Sequence, residues 1–239
     1  MTSAPAPSSS AVRSCPRVLV LGLGPTGRRA AEAVEPYGAS TVAEEVLLAA
    51  ADGAVPDVAI VVAAPLEAEG TVAASVLRNW RAQGSLMMTV AIGDAGVGPD
   101  VVGPVVRVAG EAAAVAAVRA VVEPLTRSQG LIDVRALRRV LSAGGAGALL
   151  TARTAGPRRI AEAGQALTAQ AGGLLAEARS TILRLSPASL TLKDVDDLLA
   201  ILAETMPEPV TVVFTGDEPE DRDGTLVASL LVFTSGRKA

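Results

Sequence analysis

Gly22, Gly24 and Gly27 follow the apolar run 17–23 (RVLVLGL) at the spacing G-x-G-x-x-G, just ahead of a helical pattern. Glycines at a strand-to-helix turn let backbone N–H groups face a phosphate chain, with the positive end of the helix behind them. The same spacing is the fingerprint of dinucleotide sites. Such a site wants an acid about 20 residues further on, at the end of the next strand. Glu44 and Glu45 lie at that distance but inside a helical pattern. A turn kept glycine-rich only for tight strand–helix packing satisfies the pattern equally, so all three readings stay open. Paired carboxylates suit acid–base work. The candidates are Asp194, Asp196 and Asp197, and the run Asp217, Glu218, Glu220, Asp221 and Asp223. The first set opens a helix, where acids favour the dipole. The second is a loop whose spacing does not fit an EF-hand. Both read as solvated structure. The chain has no histidine, which excludes His-based triads and the usual zinc sites. Its single cysteine, Cys15, makes no intrachain disulfide.

Those residues must be held by a core with few large side chains. Of 239 residues, 50% are apolar but only 2% aromatic, so Ala, Val and Leu must fill the interior. Small side chains bury little area each, at roughly 25 cal/mol per Å², and stability has to come from many small contacts. A net charge of −4 argues against a general nucleic-acid binder. Arginines cluster at Arg135, Arg138 and Arg139 and at Arg153, Arg158 and Arg159, either as solvated helix faces or toward an acidic partner. Trp80, among Arg78, Asn79, Arg81 and Gln83, reads as a partly exposed interface anchor or as a cap on the core edge. No apolar run reaches the ~20 residues of a membrane span. Residues 1–15 read as a Pro/Ser/Ala-rich disordered tail without a signal-peptide core, and a cytoplasmic location is expected.

Strand and helix alternate through the first half. The runs 17–23, 57–64 (DVAIVVAA), 87–92 (MMTVAI) and 101–108 predict strands; 28–35, 41–51 and 70–83 predict helices. That alternation argues for a parallel sheet with crossover helices. Segment 41–51 is taken as capped by Ser40 or Thr41. Segment 111–127 is apolar on most sides, the mark of a buried helix, and runs toward Gly130, a natural stop. Beyond it come a helix at 134–142, a strand at 146–152 and a helix at 157–170 with Pro157 in its first turn. Then follow a strand at 181–185, a helix at 192–204 and strands at 210–215 and 224–234. The acidic loop between the last two predicts an antiparallel hairpin. This is an α+β unit of about four strands with two covering helices.

The order of these elements resembles FtsZ, of the FtsZ/tubulin superfamily. Six segments carry the resemblance in order: GLIDVRALRRVL at 130–141, GGAGALLTARTAG at 144–156, 158–167, TILRLSPASLTLKDV at 181–195, and the strands 210–216 and 226–236. It implies a reduced nucleotide-binding-type, Rossmann-like α/β domain at 16–109, a central helix at 110–129 and a smaller α+β domain at 130–239. In that family the loop after the central helix carries two acids that reach the neighbouring subunit's nucleotide. With its pattern GL-(Asn)-x-D-x-x-D-V laid over 130–141, Asp133 takes the first acidic position and Ala136 the second. The family's signature loop GGGTGSG is similar only in position to PLEAEGT at 65–71, where Gly70 and Thr71 remain. Glu67 and Glu69 would set negative charge beside a phosphate chain, and Pro65 removes a donor. Only about 20 residues separate the first helix from the second core strand, which predicts no extra strand between them.

A chain that keeps this scaffold and loses an acid and a glycine cradle reads as a pseudo-GTPase. The resemblance implies a non-catalytic FtsZ-like protein that forms homo-oligomers or filaments, or docks on an FtsZ-type filament, in cell division or cytoskeletal organisation. No cofactor or metal is expected. The interface would join Asp133, Arg135, Arg138 and Arg139 to Glu67 and Glu69 of the next subunit. The alternatives are a divergent weak GTPase, with GTP held at Gly22, Gly24, Gly27, Gly70 and Thr71, and a dinucleotide-binding protein.

Overall fold

The computed structural model describes residues 16–43, 55–63, 71–93, 103–126, 134–143, 145–186, 190–206, 210, 212–215 and 224–235. In chain order these form β1 (Val18–Leu23), α1 (Gly24–Glu32), β2 (Ser40–Ala43), β3 (Val58–Ala63), α2 (Thr71–Ala82), β4 (Leu86–Ile92) and β5 (Val105–Val108). There follow α3 (Glu111–Thr126), α4 (Val134–Ala143), β6 (Ala146–Thr154), α5 (Arg159–Ala171), β7 (Ala178–Ser186), α6 (Leu192–Ala203), β8 (Val212–Thr215) and β9 (Leu226–Thr234). The strands make one nine-stranded sheet in the order β2-β1-β3-β4-β5-β6-β9-β7-β8. It is parallel from β2 to β6; β9 runs antiparallel to both β6 and β7, and β8 is parallel to β7. This is the α/β, Rossmann-like architecture with a four-stranded C-terminal part. The two halves meet where Val105, Val106 and Arg107 pair with Ala146, Gly147 and Ala148.

Every residue of β1, β3 and β4 is buried, as continuous apolar strands require when both faces are covered. Alternate residues feed two layers. Val20, Ile60, Met88 and Val106 face α1, α3 and α4, in a core that continues to Ile182, Leu231 and Phe233. Leu19, Leu21, Val61 and Met87 face Val76, Leu77 and Trp80 of α2 on the other side. The C-terminal strands pack that second side against α5 and α6 through Leu167, Leu183, Leu198, Leu202 and Leu230. The central helix α3 buries nearly all of its second half, from Ala117 to Leu125. No helix among the described residues is long and apolar enough to cross a membrane.

Several expectations are corrected. The start of 41–51 is not helical: Ser40–Ala43 is an edge strand, pairing Leu19↔Ser40 through Gly22↔Ala43. A strand therefore does stand between the first helix and β3, because β-branched Thr41 and Val42 suit an extended edge better than a helix start. Residues 44–51 lie outside the described residues. The last two strands are not a hairpin: β9 inserts between β6 and β7, and β8 pairs with β7. Helix α1 begins at once after β1, and α5 starts at Arg159, which leaves Pro157 in the preceding turn.

Candidate functional site

The glycine turn sits at the C-terminal end of β1. Its neighbours β2 and β3 lie on opposite sides, the reversal of strand order at which open α/β sheets hold ligands. Each glycine has a definite task there. A Cβ on Gly22 would stand 2.5 Å from the Arg28 Cα, and one on Gly27 would stand 2.3 Å from the Val62 carbonyl oxygen. These two allow α1 to lie directly on β1 and β3. Gly24 turns the chain with φ +66°, in the region only glycine enters freely. The α1 N-terminus has Pro in its first positions, no side-chain cap and no acid in its first turn. Thr71 opens α2 after β3. Gly70, Glu67, Glu69, Pro65, Glu44, Glu45 and Asp133 lie outside the described residues, as do Cys15 and the acidic run 217–223.

The arginines gather at the other end of the sheet. Arg135, Arg138 and Arg139 are exposed on α4, while Leu137, Val140 and Leu141 of the same helix are buried and Ala136 is half-buried. Two bonds fix this amphipathic helix beneath the strand starts. Arg138 Nη2 donates to the Gly84 carbonyl at 3.1 Å, and Ser180 Oγ donates to the Val140 carbonyl at 2.9 Å. Between α4 and the starts of β4, β5 and β6 lies a cleft of about 480 Å³, lined by Arg81, Gly84, Gly103, Pro104, Arg138 and Gly145 among others. It adjoins a second hollow of about 590 Å³ lined by Arg135, Arg138, Arg139 and Ser142. The structure thus brings the three sequence-selected arginines together and adds Arg81. It sets them a strand length away from the glycine turn, roughly 20 Å at about 3.3 Å per residue.

A buried ionic cluster also emerges. Glu123 accepts from Arg119 Nε and from Arg184 Nε, each at 2.7 Å, and the three side chains are 8% exposed or less. The Arg119 guanidinium lies 3.9 Å from the centre of the Tyr37 ring. The cluster ties α3 to β7 and to the turn Glu35–Tyr37. The sequence signal was Arg119 and Glu123 four apart on an apolar helix, with Arg184 interrupting a leucine strand. Trp80 is only 2% exposed and packs under β1, β3 and β4 as a core residue, not a surface anchor. The Asp194 set is structural: Thr191 and Asp194 form a capping box at the start of α6, and Lys193 pairs with Asp197. Among the described residues no group of His, Cys, Asp or Glu is arranged to hold a metal ion.

No protein-family model matches the chain, and no curated protein matches it. Solved structures do. The empty FtsZ dimer of M. jannaschii aligns over 93% of this chain and 89% of its own, with TM-score 0.72 and 16% identity. The GTPγS-bound protofilament structure of CetZ2 from Haloferax volcanii covers 92% of this chain and 94% of its own, with TM-score 0.60 and 16% identity. The GTPγS-form protofilament of TubZ from Bacillus thuringiensis serovar israelensis covers 94% and 87%, with TM-score 0.59 and 11% identity. The matches span nearly the whole chain at identities that show the fold alone, and this chain has the fold of the FtsZ, CetZ and TubZ structures.

Proposed function

We propose that this protein is a non-catalytic assembly protein that associates head to tail, with itself or with an FtsZ-type filament, without guanine nucleotide. The observation that carries this is the use of the glycines. An added Cβ would stand 2.5 Å from α1 at Gly22 and 2.3 Å from β3 at Gly27, so two of the three turn glycines are accounted for by strand–helix packing. The described residues fit a triphosphate poorly, because Pro at the α1 N-terminus removes an N–H donor. The loop after β3 adds Glu67 and Glu69 in sequence. Ala136, at the position of the family's second acid, offers a methyl group that cannot position water or metal for phosphoryl transfer. Arginines gather at one end of the sheet, the sequence supplies Glu67 and Glu69 as acids that could match them in a second copy, and a heterologous contact of that kind builds open polymers. The matched CetZ2 and TubZ structures are protofilaments, which supports polymerisation as the reading for this chain. Cell division or cytoskeletal organisation is the setting we assign to it.

A weak GTPase is the second reading, favoured by Gly24 with its φ of +66° at a helix N-terminus on the strand-order reversal. Sedimentation and negative-stain imaging with and without GTP–Mg²⁺, together with calorimetric titration of GTP, separate the two. Assembly in both conditions and no binding heat is the expected result. Polymers only with GTP, or tight magnesium-aided GTP binding, would overturn the proposal.

A further inference from the structure

We infer that the arginine cleft under α4 receives the acidic segment 216–223 of a second copy of this chain. The inference rests on the head-to-tail reading and names the segment that makes the contact. Arg81, Arg135 and Arg139 have no partner among the described residues, and Arg138 is held against Gly84 at the mouth of the cleft. Guanidinium forks so placed match carboxylates bidentately. The segment offers five carboxylates, Asp217, Glu218, Glu220, Asp221 and Asp223, against the single Arg222.

Geometry selects a second copy as the source. The segment leaves β8 after Thr215 and rejoins the sheet at Leu226, which pairs with Thr154 at the far end of β6. The cleft lies at the near end, where Gly145 N–H donates to the Thr234 carbonyl at the close of β9. Nine residues of β9 separate the two ends, about 30 Å at roughly 3.4 Å per residue. The residues that bound the segment, Thr215 and Gly224, both lie at the end of the sheet remote from the cleft. Translation of a second copy along the β9 direction brings the end of its sheet that carries Thr215 and Gly224 toward the cleft end of the first.

A fluorescein-labelled peptide of residues 216–224 (GDEPEDRDG), titrated with the full chain and read by anisotropy, tests this at low salt. Saturable binding is expected. It should weaken at least tenfold for Arg135→Glu combined with Arg139→Glu, and for a peptide carrying Asn and Gln in place of its acids. Glu67→Gln with Glu69→Gln should leave it unchanged. Both arginines are exposed, and circular dichroism verifies the fold of the variant; Arg139→Gln supplies a milder second variant expected to weaken binding in the same direction. Absence of saturable binding, or equal affinity for wild type and both arginine variants, overturns the inference. Peptide binding is read without polymers or nucleotide. A GTP-dependent assembly with intact peptide binding would therefore sink the nucleotide-free reading alone.

Discussion

Glu123 is the residue on which the most buried charge depends. It is 3% exposed and pairs with both Arg119 and Arg184, at 2.7 Å each. A buried pair adds little over a well-packed apolar equivalent, but removal of one partner strands the other charge at a cost of about 3–5 kcal/mol. Glu123→Gln should therefore lower the stability measured by urea unfolding by about 3 kcal/mol. The triple change Glu123→Leu with Arg119→Leu and Arg184→Met, which strands no charge, should recover most of that loss. Asp194 shows a gentler effect. It accepts from the Thr191 N–H at 3.0 Å and hydroxyl at 2.8 Å. Those bonds hold its carboxyl below the ordinary value of 3.8. A depressed folded value means that the contribution is complete above the unfolded value and is lost as pH falls through the folded one. Asp194→Asn should lower stability at neutral pH, where the bonded carboxylate contributes in full, flatten the curve through that window, and converge with wild type below it. Thr191→Ala, which removes the cap itself, should cost about 1 kcal/mol at neutral pH.

At the scale of elements, α1 is set by the absence of side chains beneath it. Its glycines bring the helix backbone onto Val62, so Gly27→Ala must lift α1 from β3. Overpacking of this kind costs about 1–3 kcal/mol. If the turn is a packing device, that variant should melt earlier and show no change in nucleotide binding from wild type, as thermal shift with and without GTP would record. The sequence displayed this part of the molecule well. β1, β3 and β4 announce themselves as unbroken apolar runs because both their faces are covered, and α3 as a helix apolar on most sides because it lies under the sheet. Elements set by distant pairing were not legible. Ser40–Ala43 runs straight into an Ala/Glu/Leu pattern with helical spacing, and its identity as a strand comes from β1, its one neighbour in the sheet. The acidic loop before β9 looks like a hairpin turn, yet β9 finds its partners in β6 and β7, contacts that local residue order does not encode. The arginines of α4 were visible as a cluster. Arg81, which completes the cleft, sits far away in sequence, and only the end of α2 beside the start of β4 brings it there.

For the whole molecule the consequence is polarity. One continuous sheet carries a packed glycine turn at one end and an arginine-lined cleft at the other, so copies stacked along the strand direction would meet through unlike faces. A nucleotide-clamped contact would gain its strength from a bound triphosphate and metal. A contact between exposed arginines and carboxylates gains it from charge, and exposed charges are screened over about 10 Å at 0.1 M salt and about 3 Å at 1 M. Assembly should accordingly be strong near 50 mM NaCl and fall steeply toward roughly 0.5 M, with GTP and magnesium leaving the midpoint where it is. Light scattering across a salt series measures this directly. Arg135→Glu with Arg139→Glu should abolish scattering at low salt, and Asp217→Lys with Asp221→Lys in the same chain should restore it by exchanging the signs on the two faces. A salt-independent signal would assign the adhesion to apolar burial, and the polarity of the sheet would then have another use.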